Sequence, residues 1–378
     1  MKKFFNLFLV AVIGAAMVGC NDNKVEQTDK EAALKKVVKP YVENTVIATY
    51  SNMANEGVLL LAEVEKIEAA VEAGSDYSAE MKRAGELWRE MRHYWEQSEA
   101  FLFGPAEKHN IDPHIDSWPL DYNEMNRLLN DESQMKAIEE EGGSYVGKLG
   151  YATKGFHAAE YMLFEEGNPH KTNLTKAQAI YLVGIVEDLT QQAILLEDSW
   201  AGGVSKEKEE LITDDGESMS YGENYGEYFI EASHPEWKTY QAVAEQIIAG
   251  CVDIAGEVAD LKLGNPYRGS GNGGDSEYLE SPYSRTSTID FEDNIISIRN
   301  AYAGAKEGDE SVSGYIKDKD PELDQKVKNT IEEAITLIRA IKDFETTAQN
   351  NADVKAAIDK VSELETILDE EVLPILSK

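Results

Sequence analysis

Cysteine is nearly absent from this 378-residue chain: Cys20 and Cys251 are the only two. A disulfide framework and a thiolate metal cluster are both excluded by that count. Basic charge is also short, with 36 Lys and Arg against 71 Asp and Glu and a formal net charge of -35. Such a surface repels nucleic acid and anionic lipid and favours cations, so no nucleic-acid partner is expected. There is no G-x-S-x-G elbow, no phosphate-binding glycine loop and no His-Glu-x-x-His helix; hydrolase and nucleotide-binding readings lack their signatures. Past the N-terminus no apolar stretch is expected to reach the roughly 20 residues that cross a bilayer.

The N-terminus is different in kind. "MKKFFNLFLVAVIGAAMVGC" joins two lysines, a short apolar core and small residues before Cys20, the layout of a secretory signal. Its end, "MVGC", resembles the lipobox at which bacterial lipoproteins are cut and lipidated. The expected layout is a signal peptide over 1–19 and a lipidated tether over 20–36 that begins at Cys20. Acyl chains would hold the protein to a membrane without spanning it. The expected location is the bacterial cell envelope, periplasm-facing or at the cell surface, on the outer membrane.

From residue 37 to 200 the apolar spacing is helical. Candidate helices run from Val38 to Glu72, Ser78 to Phe103, Tyr122 to Asn130, Ser144 to Glu165 and Lys176 to Asp198, with Pro105, Pro113, Pro119 and Pro169 between them as helix breakers. Residues 201–280 read as an irregular, acidic and tyrosine-rich insertion, one helix from Trp237 to Leu261 and the glycine-rich linker "LGNPYRGSGNGGDSEY". Three more helices, from Thr288 to Ala305, Pro321 to Thr346 and Ala352 to Leu376, fill 281–378. The fold class is all-α in two helical-bundle lobes packed side by side.

Two His-x-x-Glu pairs occur, and residues three apart share a helix face. Around the helix at 78–103, Trp88, Arg92, Trp95, Glu99 and Leu102 form one stripe. His93 lies well away from it, so His93 and Glu96 read as surface residues. Glu99 sits within the tryptophan stripe and must be paired, protonated or metal-bound. The second pair, His157 and Glu160 in "GFHAAEYMLF", lies on a helix apolar almost all round, the pattern of a buried helix. Gly155 would let a neighbouring backbone approach. Two readings stay open here, a metal-ligand pair or a His and Glu bonded to each other and to a core tyrosine. Cys251 falls in a helical pattern and reads as a small core residue.

Jointly, "GFHAAEYMLF", "WEQSEAFLFGP", "IDPHIDSWPLD" and "SPYSRTSTIDFEDNIISIRNAYAG" resemble the imelysin family of exported bacterial proteins, whose Gly-x-His-x-x-Glu signature falls on Gly155, His157 and Glu160. The resemblance implies two helical lobes with a site near their junction. It also implies a place among metallopeptidases, and a link to iron uptake through related helical proteins with the same motif. On this reading His157, Glu160 and Glu99 bind a divalent or trivalent metal ion, iron or zinc. Asp116, Trp118, Ser284, Asp290 and Asn294 are candidates to line the site, although Ser287 and Asp290 also have the spacing of a capping box. The expected partners are the metal ion and envelope iron-transport components. A zinc-dependent peptidase is the first alternative. The second is a non-catalytic module that recognises glycan or protein through Trp118, Tyr221, Tyr225 and Tyr228.

Overall fold

A computed structural model describes residues 21–168, 172–214 and 216–378 of the chain; the signal segment and Cys20 lie outside them. The chain is built of helices, and the one named sheet among the described residues is a two-stranded antiparallel hairpin pairing Thr213–Asp214 with Glu217–Ser218.

The long helices are α1 (Asn21–Pro40), α2 (Ala48–Ala73), α3 (Ser78–Glu96), α4 (Gly155–Leu163), α5 (Lys176–Ala201), α6 (Tyr240–Glu257), α7 (Ser287–Ala303), α8 (Pro321–Ala340) and α9 (Ala352–Ile367). Local chemistry sets their ends. Thr175 and Gln178 form a reciprocal capping box at the start of α5, and Gly202 ends it with φ +73°, the left-handed cap that glycine takes at least cost. Asp320 caps α8 and Pro321 opens it, where proline's missing N–H costs nothing.

Helices α2, α3 and α5 pack as the first bundle, with α4 against α3 and α5. By length and composition α5 could cross a bilayer, which corrects the expectation that no such stretch follows the N-terminus; it is the core helix of this bundle and is buried along most of its length. Helices α6, α7, α8 and α9 make the second bundle, and α1 packs on it through α6. Residues 21–36 of the segment expected to be a tether are therefore helical, and Leu34 within them is a core residue. The helix placed in the 201–280 insertion is likewise a framework helix, α6.

The two bundles meet along α3 and α7 and where α6 crosses the turn Glu99–Phe101. A Cβ at Gly250 of α6 would lie 2.2 Å from the carbonyl oxygen of Ala100, so only glycine permits this approach. Ser297 of α7 accepts the Ala100 N–H at 3.1 Å. One expected helix is broken: the 144–165 span divides into Gly143–Val146, a turn at Tyr151–Thr153 and α4. Extended backbone at Lys154 and φ +75° at Gly155 force the division. Among the described residues three π-helical turns, Tyr41–Ile47, Val258–Lys262 and Leu368–Val372, extend long helices beyond their regular spans.

Candidate metal centre

The seam holds a buried group of charges drawn from both bundles. Helix α3 and the turn after it contribute Arg92, Glu96 and Glu99; the loop before Pro119 contributes Asp116; α4 contributes His157 and Glu160. Lys262, Glu280, Asp290 and Asn294 come from the second half of the chain. All of these side chains are buried.

Gly155 explains how the pieces fit. A Cβ there would stand 2.1 Å from the Ile115 carbonyl oxygen, so the backbone just before Asp116 lies directly on the start of α4. That contact brings Asp116 Oδ1 to 3.0 Å from His157 Nε2. Glu280 Oε1 lies 4.0 Å from the same nitrogen, and Glu160 Oε2 lies 3.7 Å from Nδ1. Asp116 alone is within hydrogen-bond distance of the ring; Glu280 and Glu160 stand further off. The indole of Trp118 covers the imidazole with 4.9 Å between ring centroids.

Glu160 is anchored more firmly than its partner. Its Oε1 accepts from Tyr283 N–H at 3.1 Å, Ser284 N–H at 2.8 Å and the Ser284 hydroxyl at 2.7 Å. The other oxygen, Oε2, is buried without a hydrogen bond. Glu160 thus reaches the Tyr283–Ser284 backbone through one oxygen and faces His157 with the other.

Arg92 ties the carboxylates together. It donates to Asp116 and, at 2.8 Å, to Glu280 Oε1, and lies 2.5 Å from Glu96 Oε1. Trp95 donates its indole N–H to Asp116 Oδ2 at 2.7 Å. Asn294 donates to Glu96 Oε2 at 2.6 Å, and Lys262 faces Glu96, Glu99 and Glu280.

Protonation follows from this packing. Burial opposes charge on Asp116, but Arg92 and His157 hold its carboxyl well below the usual range. Burial also opposes charge on His157, and the neighbouring Asp116 and Glu160 outweigh it, pushing its pKa up to about 9. Burial raises Glu96 to about 7 against the pull of Arg92 and Lys262, and Asp112 to about 7. Burial and neighbouring carboxylates push Glu99 and Asp290 well above the carboxylate range. The centre thus holds acids whose negative charge an added cation would draw out.

Two groups of donors lie close enough to share an ion: Asp116 with His157 and Glu280, and Glu96 with Glu99 and Asp116, the atoms of each within 4.8 Å of one another. That spread matches about twice a metal–oxygen distance of roughly 2.0–2.6 Å. Imidazole with carboxylates suits iron or zinc, and carboxylates alone suit harder cations.

Of the candidates from the sequence, Asp116 and Trp118 contact His157, Ser284 bonds Glu160, Asn294 bonds Glu96 and Glu99 faces Lys262. Asp290 accepts the Ser281 hydroxyl at 2.5 Å, while the N-cap of α7 is Thr286 and has no side-chain cap bond. The capping box expected at Ser287 and Asp290 is therefore absent; Ser287 Oγ instead accepts from Ser281 N–H at 3.1 Å. Arg285 is exposed and stands apart from the centre. Glu96 corrects the surface reading: it is fully buried, whereas its partner His93 is 39% exposed and lies 2.7 Å from Asp293. His114 turns away toward Asp188, 2.9 Å distant. Tyr225 is buried and Trp118 packs on His157, so the expected exposed aromatic surface keeps only Tyr221 and Tyr228. Cys251 is buried and its Sγ donates to the Ile247 carbonyl.

Arg92, Lys262 and Glu280 are site residues that the sequence reading did not single out as such. Arg92 left a trace, since a guanidinium within a tryptophan stripe requires buried acids, and Glu96 stands four residues on. Lys262 and Glu280 left none.

Fold and centre define an all-helical, two-bundle protein with a buried acid–histidine cluster at the bundle seam. The sequence model of the imelysin family matches residues 46–370, and the chain belongs to that family. It is 26% identical over 271 residues to "Iron-regulated protein A" of Synechococcus elongatus, a match that covers 72% of this chain and 65% of the relative, just under two thirds of its length. A crystal structure of an iron-regulated protein A precursor from Parabacteroides distasonis superimposes with TM-score 0.77 at 26% identity, covering 92% of this chain and 96% of that one. An imelysin-like protein from Psychrobacter arcticum shares the fold at TM-score 0.66 and 12% identity, with 92% and 96% covered.

Proposed function

We propose that the protein binds a metal ion at the bundle seam, in an iron-related role, through His157, Asp116 and Glu280. The observation that carries this is the buried His157 imidazole, whose Nε2 lies beside two carboxylates at 3.0 and 4.0 Å. An ion held between these three would meet an imidazole nitrogen and two carboxylates, a donor set that suits iron or zinc. Glu160 orients the site: anchored through one oxygen to the Tyr283–Ser284 backbone, it holds the other toward Nδ1 of His157. A carboxylate behind a ligating histidine fixes the orientation of its ring. Iron is favoured over zinc by the names of the relatives alone.

The setting belongs to the same proposal. Export, lipidation at Cys20 and residence in the cell envelope beside iron-transport components rest on the first twenty residues of the sequence.

The test is metal content. Protein purified without added metal, and protein loaded anaerobically with Fe2+, would be assayed for bound ion beside His157→Ala and Asp116→Asn. At least a tenfold loss of affinity is expected in each variant. Undiminished binding in both would overturn the assignment.

A further inference from the structure

Beside the buried centre, α3 and α7 leave a small cavity at the seam surface. Arg89, Arg92 and His93 line it from α3; at spacings of three and four they share one helix face. From α7 come Asp290, Asp293 and Ile289, the last of them 53% exposed at the mouth. Thr286, the N-cap of α7, lines the same space, so the positive end of a long helix dipole borders it.

In a chain with a formal net charge of -35, this lining is cationic. Arg89 forms no ion pair among the described residues. It donates to the carbonyls of Gly167 and Ser284 at 3.2 and 3.4 Å and stacks over Phe164 at 4.8 Å, while Glu160 and Glu86 act on it only from further off. Arg92 turns both terminal nitrogens to Asp116, Glu96 and Glu280. In each guanidinium the Nε–H is buried and has no acceptor, a state rare among buried donors. The two acids of the lining offset this charge only in part. Asp293 lies 2.7 Å from His93 Nδ1 and accepts from Gln97 at 2.9 Å. Burial and the neighbouring Glu96 push Asp290 well above the carboxylate range, so it is a neutral carboxyl here.

We propose that this cavity binds one small oxyanion of carboxylate size, which accepts from the Nε–H groups of Arg89 and Arg92 beside the N-terminus of α7. Guanidinium is the side chain suited to planar oxyanions, and a charge-assisted bond is about twice as strong as a neutral one. The space measures about 40 Å³. At about 10–15 Å³ for each water-sized occupant it has room for roughly three or four non-hydrogen atoms. Formate and bicarbonate fit that limit, and a larger molecule could place only a terminal carboxylate inside. No metal ion is needed for this, so anion binding here is separable from the metal reading at His157.

The experiment follows isotope-labelled formate and bicarbonate by carbon NMR as each is titrated with the full chain, after chelator and gel filtration have removed any metal. Wild type is expected to saturate with one equivalent in the millimolar range. Arg89→Met, which loses the guanidinium, should bind at least tenfold more weakly. Arg89→Lys keeps the charge and can reach the same carbonyls but has no Nε–H; it should weaken binding about fivefold, and it decides the matter if Arg89→Met does not fold. No saturable binding of either anion to wild type would overturn the proposal, since water alone would then fill the cavity. So would affinities within twofold of wild type in the folded Arg89 variants. Tighter binding of acetate or succinate than of formate would identify the occupant as the terminal carboxylate of a larger molecule, and binding of formate or bicarbonate alone would identify a free anion.

Discussion

Replacing Gly155 by alanine should damage both the fold and the centre. Gly155 has φ +75°, and an added Cβ would lie 2.1 Å from the Ile115 oxygen, 2.5 Å from its carbonyl carbon and 2.8 Å from its Cα. Left-handed backbone costs an L-residue about 1–2 kcal/mol. The steric overlap is the second cost: the contact must open by more than 1 Å to reach the ordinary 3.4 Å, and overpacking of this kind costs about 1–3 kcal/mol. Together they give about 2–5 kcal/mol, a large part of the 5–15 that a typical fold retains. Gly150 is the control, with φ -62° and nothing within 4 Å of where an added Cβ would stand; its alanine variant should stay within about 0.5 kcal/mol of wild type. Urea unfolding of the three proteins measures the difference. Because Asp116 follows Ile115, the displaced loop should also weaken Fe2+ binding in folded Gly155→Ala. If Gly155→Ala proves as stable as Gly150→Ala, the close-approach account of the motif glycine is wrong.

Glu160→Ala removes the acceptor of three hydrogen bonds from Tyr283 and Ser284 and leaves buried donors unmet, for a loss of about 3 kcal/mol or more. Glu160→Gln keeps an acceptor oxygen and should lose much less in chemical denaturation; equal losses would refute the anchoring role. At the seam surface, hydrogen bonding to Asp293 outweighs burial and raises the pKa of His93 above 6.5. A raised histidine pKa stabilises the fold fully below about 6.5 and loses that contribution as pH rises through the folded value. The side chain is more than a third exposed, so the effect should stay under about 1 kcal/mol. The melting difference between wild type and His93→Gln should shrink from pH 5.5 to 8.5; a difference that widened would reverse the assignment.

Periodicity gave the helices because each buries one stripe, and for α5 and α4 almost every face. Breaks were harder to read. The 144–165 span kept its apolar rhythm while extended backbone at Gly150 and Lys154 and the positive φ of Gly155 interrupted the helix. His157, Glu160 and Glu99 were visible as charges in apolar surroundings, a local contradiction that one segment reveals. Glu96 was hidden because projection on a lone helix calls outward whatever faces away from its own stripe, and α7 of the second bundle covers that side. Lys262 and Glu280 lie in polar or glycine-rich sequence where charge is unremarkable. Only the docking of the bundles gives them meaning.

The Asp116, His157 and Glu280 donors are separated by long stretches of chain, and the helix that opens the described chain, α1, packs against the last-formed bundle. During synthesis the early donors wait without Glu280 until most of the polypeptide exists. On the proposed metal reading, an ion would meet its full donor set only in a finished architecture, the reverse of small zinc modules whose folding the metal drives.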